Sequence, residues 1–257
     1  MRTIVGYKTG SGNIMPLTLY IETVERNSIA LAPQEEVGKL CGDCKGWNGG
    51  CPGCAPYFQY IKPKMQFMTV LLIEFDMAWA AKYSRGGRNL ISSNYFRMGY
   101  ADRITDKYAW SILKKSYQKG QNFILGCGHC PTCSKKHCGP INNLPCRKPL
   151  NRFYSMEATG VDCNQIALRI TGQELQWWYK DIILPVNMTR VVGIINNDPQ
   201  ATEALLLDKV ISHRSFVKDY NPSDPEGLDL MVEEVCHINS RRCYNAYVNL
   251  RQEYINE

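Results

Sequence analysis

The cysteine spacing constrains this chain more than any other feature. Four cysteines fall in the stretch CGDCKGWNGGCPGC, as the two C-x-x-C pairs Cys41/Cys44 and Cys51/Cys54. Five more are Cys127, Cys130, Cys133, Cys138 and Cys146, whereas Cys163, Cys236 and Cys243 stand apart. A C-x-x-C pair acts as a clip: the chain turns back so that two thiols converge, and backbone amides can donate to sulfur. Pro52, Pro56 and the glycines of the first module forbid regular structure, so it is a loop. A fold must carry such loops, and 257 residues suffice to bury a core without covalent staples.

No apolar leader follows Met1–Gly6, and the most apolar run, Phe67 to Trp79, is too short to cross a bilayer and contains Glu74 and Asp76. The chain is therefore expected to be cytoplasmic, without a membrane segment. Disulfides are rare in a reducing compartment, so twelve cysteines point to metal ligation or redox chemistry. The net charge of +6 permits an anionic partner without demanding one.

Two clips separated by six residues can close on one centre. Zinc takes a closed thiolate tetrahedron, and a four-iron cluster takes four thiolates with close backbone approach. The first module suits either. In the second, Cys130-x2-Cys133-x4-Cys138-x7-Cys146, a closely spaced run followed by a distant cysteine before a proline resembles iron–sulfur ligation more than a zinc finger. His129 and His137 leave a mixed Cys/His zinc site open.

The rest of the chain predicts an α/β fold: a small mixed sheet with flanking helices, two loop-borne cysteine modules and a long C-terminal helix. Strands are expected over 17–24, 67–75, 122–125 and 191–195. FMTVLLIEF, at 67–75, reads as a strand covered on both faces. Helices are expected over 33–40, over 102–119 (capped by Asp102 and ended by Gly120), over 162–171 (capped by Asp162 and stopped at Gly172), after Asp198-Pro199, and over 227–254. Residues 83–100 read as a long loop. PSDP at 222–225 would set the last helix off from the body. The organisation is a metal-binding domain over 1–198 and a helical extension over 199–257.

The stretch LPCRKPLNRFYSMEATGVD, at 144–162, resembles the signature of the predicted metal-binding family catalogued as domain of unknown function number 2284. That family shows clustered cysteines, then PCR-x-P, then SMEA-x-G-[IV]-D. Cys41, Cys44 and Cys51-Pro52 are similar to its N-terminal C-x2-C and CP elements. Its distal spacing fits Cys130, Cys133, Cys138 and Cys146 better than a set containing Cys127. The likeness covers about residues 30–196; Cys54 as a ligand rests on spacing. The resemblance implies metal binding, with iron–sulfur as the expected form.

The expected ligands are therefore Cys41, Cys44, Cys51 and Cys54 for one site, and Cys130, Cys133, Cys138 and Cys146 for the other. The expected cofactors are two [4Fe-4S] clusters, with zinc as the alternative. Arg147, Ser155 and Glu157 read first as loop-holding residues, with Arg147 donating to carbonyls; a proton-moving Glu157 is the functional alternative. Cys163, Cys236 and Cys243 read as buried thiols, and Trp177-Trp178-Tyr179 as packing. Lys8–Asn13 lacks the ending of a phosphate loop. The basic rim of Lys135, Lys136, Arg147, Lys148 and Arg152 suits an acidic electron donor or a phosphate-bearing substrate. The function expected is an iron–sulfur redox protein or metalloenzyme component, such as an oxidoreductase or sulfur-transfer enzyme, working with a redox partner or small-molecule substrate. A zinc protein binding nucleic acid or another partner, and an iron–sulfur or sulfur-transfer accessory, are the alternatives.

Overall fold

The run FMTVLLIEF has no polar face to turn outward, and in a computed structural model of the protein it is the central strand of a sheet covered on both sides. The structure describes residues 1–8, 14–40, 49–77, 90–128, 130–133, 135–176, 185–217 and 220. The strands among them are β1 (Arg2–Lys8), β2 (Ile14–Glu25), β3 (Phe67–Asp76), β4 (Phe123–Gly126), β5 (Tyr154–Ser155), β6 (Asn187–Asn196) and β7 (Phe216–Val217). The helices are α1 (Gln34–Leu40), α2 (Leu90–Ser116), α3 (Cys163–Thr171) and α4 (Pro199–Ile211). Sheet order is β5-β4-β6-β3-β2-β1-β7. Every neighbouring pair is antiparallel except β4 and β5. This is a mixed-sheet α/β fold, as expected.

Side chains alternate across a strand, and β3 divides its own between two cores. Leu71, Ile73 and Phe75 meet α2 and α4 through Ile104, Tyr108, Ile112 and Leu206. Met68, Val70 and Leu72 face the other way, against Ile166 of α3 and Phe58 and Ile61 of the chain after the first cysteine module. Burying each of these side chains contributes about 1.5–3 kcal/mol. No helix among the described residues is long and apolar enough to cross a membrane.

The helix ends follow the local chemistry. The Asp162 carboxylate accepts from Gln165 N–H at the start of α3, and Gly172 closes that helix at φ 75°. Asp198 caps α4 through Ala201 N–H, with Pro199 at its first turn. Within the extension expected at 199–257, α4 puts Leu206 and Val210 into the main core, and β7 pairs with β1.

The expected loop at 83–100 is corrected over 90–100: α2 begins at Leu90 and runs unbroken to Ser116. Its Ser, Asn and Gly residues are weak helix formers, but a helix propagates readily once one part is fixed by packing. Asp102 therefore caps nothing; it lies inside α2 and pairs with Arg190 of β6. Residues 9–13, 83–89, 177–179 and 222–225, Cys236, Cys243 and the helix expected at 227–254 lie outside the described residues. Replacing Asp162 with Ala is expected to cost about 1 kcal/mol of stability through loss of the cap, read as a lowered midpoint in chemical denaturation with an unchanged slope.

Candidate metal centre

The second cysteine module and the described part of the first, Gly49–Cys54, lie where β4 and β5, the parallel pair, end at Gly126 and Ser155. The described part of the first module is a turn. Cys51-Pro-Gly-Cys54 carries the Pro-then-Gly pattern of a type II turn, with Gly53 at φ 79°. Cys54 and Ala55 both donate N–H to the Cys51 carbonyl, at 3.1 and 3.0 Å. Cys51 and Cys54 therefore stand at the two ends of one tight turn. Cys41 and Cys44 lie outside the described residues, as does His129.

The second module leaves β4 directly and is fixed by its own backbone. Asn142 Nδ2 donates to the Cys138 carbonyl at 2.7 Å, and Thr132 Oγ1 donates to the Asn151 carbonyl. Gly139 lies so close to the Pro145 carbonyl that a Cβ there would stand 2.1 Å from its oxygen. Phe153 N–H donates to Cys130 Sγ at 3.5 Å, and the Phe153 ring packs edge-on against Trp110 of α2. The Trp110 indole occupies the place a side chain at Gly126 would need. Thus α2 sets the height at which the module leaves the sheet.

SMEATGVD is the joint between this module and the fold. Ser155 forms the end of β5, and its N–H donates to the Gly50 carbonyl at 3.0 Å. Met156 N–H donates to the Gly126 carbonyl at 2.8 Å, and its side chain fills the space over Gly193 of β6. Gly160, at φ 88°, turns the chain beside Tyr57. Val161 bridges to Leu31, and Asp162 caps α3.

The two modules touch. Gly49 N–H donates to Cys138 Sγ at 3.2 Å. A Cβ on Gly50 would stand 2.9 Å from Cys130 N and 2.7 Å from the Phe153 carbonyl oxygen. The guanidinium of Arg152 donates twice to the Gly49 carbonyl, at 3.0 and 2.8 Å, and also to the Cys54 carbonyl. The loop-holding role expected of Arg147 thus falls to Arg152, while Arg147 is exposed. The sequence places Arg152 only in the basic rim and carries no sign of its clamp on the first module; for Gly49 and Gly50, a Gly-Gly pair just before a CxxC clip is the one signal of close backbone approach.

A second group of side chains lies behind the modules. Cys127 Sγ donates to Asp106 Oδ1 of α2 at 3.3 Å. Burial pushes the Cys127 thiol well up, and the carboxylates of Asp106 and Glu157 push it further. Cys163, buried at the start of α3, is pushed well up by burial and then by Glu157, Asp162 and Cys127. The lowering expected of a helix N-terminus is thereby overridden. Burial also raises the Glu157 carboxyl. These groups favour neutral thiols, not thiolate ligands.

Among the described residues, no three His, Cys, Asp or Glu side chains are grouped so as to hold a metal ion. The structure brings Cys51, Cys130 and Cys138 into the buried zone around the contact between modules, and leaves Cys54, Cys133 and Cys146 partly exposed. The donor chemistry nevertheless suits thiolate ligation. Backbone N–H groups aim at Cys138 and Cys130 sulfur, and such outer donors stabilise a charged sulfur ligand. Glycines at 49 and 50 leave the space that close approach requires.

No curated protein and no solved structure matches the chain. A family model described as predicted metal-binding protein (DUF2284) matches residues 27–195, a span that holds both modules and the whole SMEATGVD joint. The chain belongs to the DUF2284 family of predicted metal-binding proteins.

Proposed function

We propose that the protein is an iron–sulfur redox protein or metalloenzyme component. Cys41, Cys44, Cys51 and Cys54 would hold one [4Fe-4S] cluster, and Cys130, Cys133, Cys138 and Cys146 the other. The observation that carries the reading is the pair of backbone N–H donors aimed at Cys138 and Cys130 sulfur. Thiolates that ligate a cluster retain negative charge, and hydrogen bonds to their sulfurs help set the potential. Bound there, the clusters supply one-electron transfer. The protein's own residues hold the sulfurs, limit water at Cys51, Cys130 and Cys138, and present a basic rim.

That rim supports an acidic redox partner. Lys136, Arg147 and Lys148 are exposed around the second module. Leu144 and Leu150, near them in the chain, stand 54% and 85% exposed, offering a partner apolar contact alongside positive charge. The cytoplasmic location belongs to the same proposal, because reduced thiols are kept for metal ligation there.

Protein purified without oxygen is expected to be brown and to contain about eight irons and eight sulfides per chain, the content of two four-iron clusters. Replacing both Cys130 and Cys138 with Ser is expected to remove about half of each. Stoichiometric zinc with no acid-labile sulfide would overturn the assignment in favour of the zinc alternative.

Cys127 stands outside the ligand set in this reading. Cys127→Ser is therefore expected to leave the metal content unchanged. In metal-free protein, alkylation of Cys127 should begin at higher pH than for an ordinary thiol, whose pKa is about 8.5. Asp106→Asn removes a carboxylate that raises the thiol, so onset should move to lower pH. Peptide mass spectrometry across a pH series reads both, and an onset unmoved by Asp106→Asn would rule out control by that carboxylate.

A further inference from the structure

We infer that the two cysteine modules form one energetically coupled metal unit, joined along the Gly49–Gly50 edge, with Arg152 as the residue that positions that edge. The inference rests on the reading that the modules hold metal, and adds that neither holds it independently of the other.

Three kinds of contact cross the seam. The first is a donor to a ligand atom: Gly49 N–H points at Cys138 Sγ, 3.2 Å away, in a buried setting. The first module thereby supplies part of the electrostatic environment of a second-module sulfur. The second is steric. Gly50 lies against Cys130, with a hypothetical Cβ 3.0 Å from the Cys130 Cβ, so the two loops have no slack between them. The third is the clamp. Arg152 follows the second module, yet donates to carbonyls of the first at Gly49 and Cys54, on either side of Cys51. The Tyr154 ring lies 5.0 Å from the guanidinium carbon and holds the fork in that orientation.

Burial follows the same line. Cys51, Cys130 and Cys138 are 7%, 8% and 9% exposed, and Cys130 and Cys138 take part in the crossing contacts themselves. Metal in the first module fixes the 49–54 turn and with it the donor to Cys138. Metal in the second fixes the Cys130–Phe153 segment against which Gly50 rests. Each occupancy thus stabilises the surface that the other module uses, and such coupling between binding sites is reciprocal.

The test measures metal release to a chromogenic chelator from loaded protein. Cys51→Ser with Cys54→Ser disables the first module, and Cys130→Ser with Cys138→Ser disables the second. In each case the surviving module is expected to release its metal severalfold faster than in the intact protein and to bind it roughly 5–150-fold more weakly, the ordinary range of affinity change for coupled sites. Arg152→Gln should accelerate release from both modules while all eight ligands remain. Added to Arg152→Gln, either module knockout should then have little further effect. Arg152→Lys, which keeps the charge but loses the planar fork, should fall between. Circular dichroism of the metal-free variants checks that the fold persists. If Arg152→Gln does not fold, the two module knockouts carry the test alone.

Release rates from each module that are unchanged when the other is disabled would overturn the coupling while leaving metal binding intact. Zinc in place of iron and sulfide would overturn the iron–sulfur assignment alone, since the same release assay runs on zinc. Protein that takes up no metal would overturn both.

Discussion

Two consecutive peptide N–H groups hold the site to the fold. Ser155 donates to Gly50 and Met156 donates to Gly126. The first bond reaches the upstream cysteine module, and the second reaches the strand from which the downstream module departs. Ser155 ends β5 and Met156 follows it, so two successive N–H groups reach the two different partners. The Met156 side chain then locks this segment into the core over Gly193. The described parts of both modules meet the sheet at that junction.

The core stabilises the junction from both faces of the sheet. On one, α2 brings Trp110 against Gly126 and Phe153. On the other, α3 begins at the Asp162 cap as SMEATGVD ends. The chemistry-bearing loops are therefore anchored between two packed helices, and the placement of sulfur follows from helix packing as much as from cysteine spacing. Cys127 illustrates this. Its spacing makes it a candidate clip partner for Cys130, but α2 presents Asp106 to its thiol. That hydrogen bond uses the proton a metal ligand would have to lose.

Much of the fold was legible in the chain because local chemistry and tertiary demand agreed. FMTVLLIEF became a doubly covered strand, and Asp162 and Asp198 capped the helices expected of them. The failure over 90–100 has a definite cause. Serines, Asn94 and Gly99 read as loop by propensity, but propensity differences of about 0.5–1 kcal/mol per residue yield to packing and to propagation from a fixed helix. The strand β1 was missed for a related reason: Gly6 interrupts its pattern, although the chain there is needed to pair with both β2 and β7.

The sequence by itself determined that the Cys51/Cys54 and Cys130/Cys133 pairs would lie in loops on a self-sufficient core, since C-x-x-C spacing and turn residues act over a few positions. It also placed the caps at Asp162 and Asp198 and the apolar run of the central strand, though not the start of α2, where the cap expected at Asp102 failed. Only the tertiary structure decided that Gly49 faces Cys138, that Arg152 rather than Arg147 holds the carbonyls, and that Cys127 faces a carboxylate. These contacts join residues about 20–100 positions apart. Their partners are chosen by how the sheet and helices pack, and no local pattern in the chain carries that information.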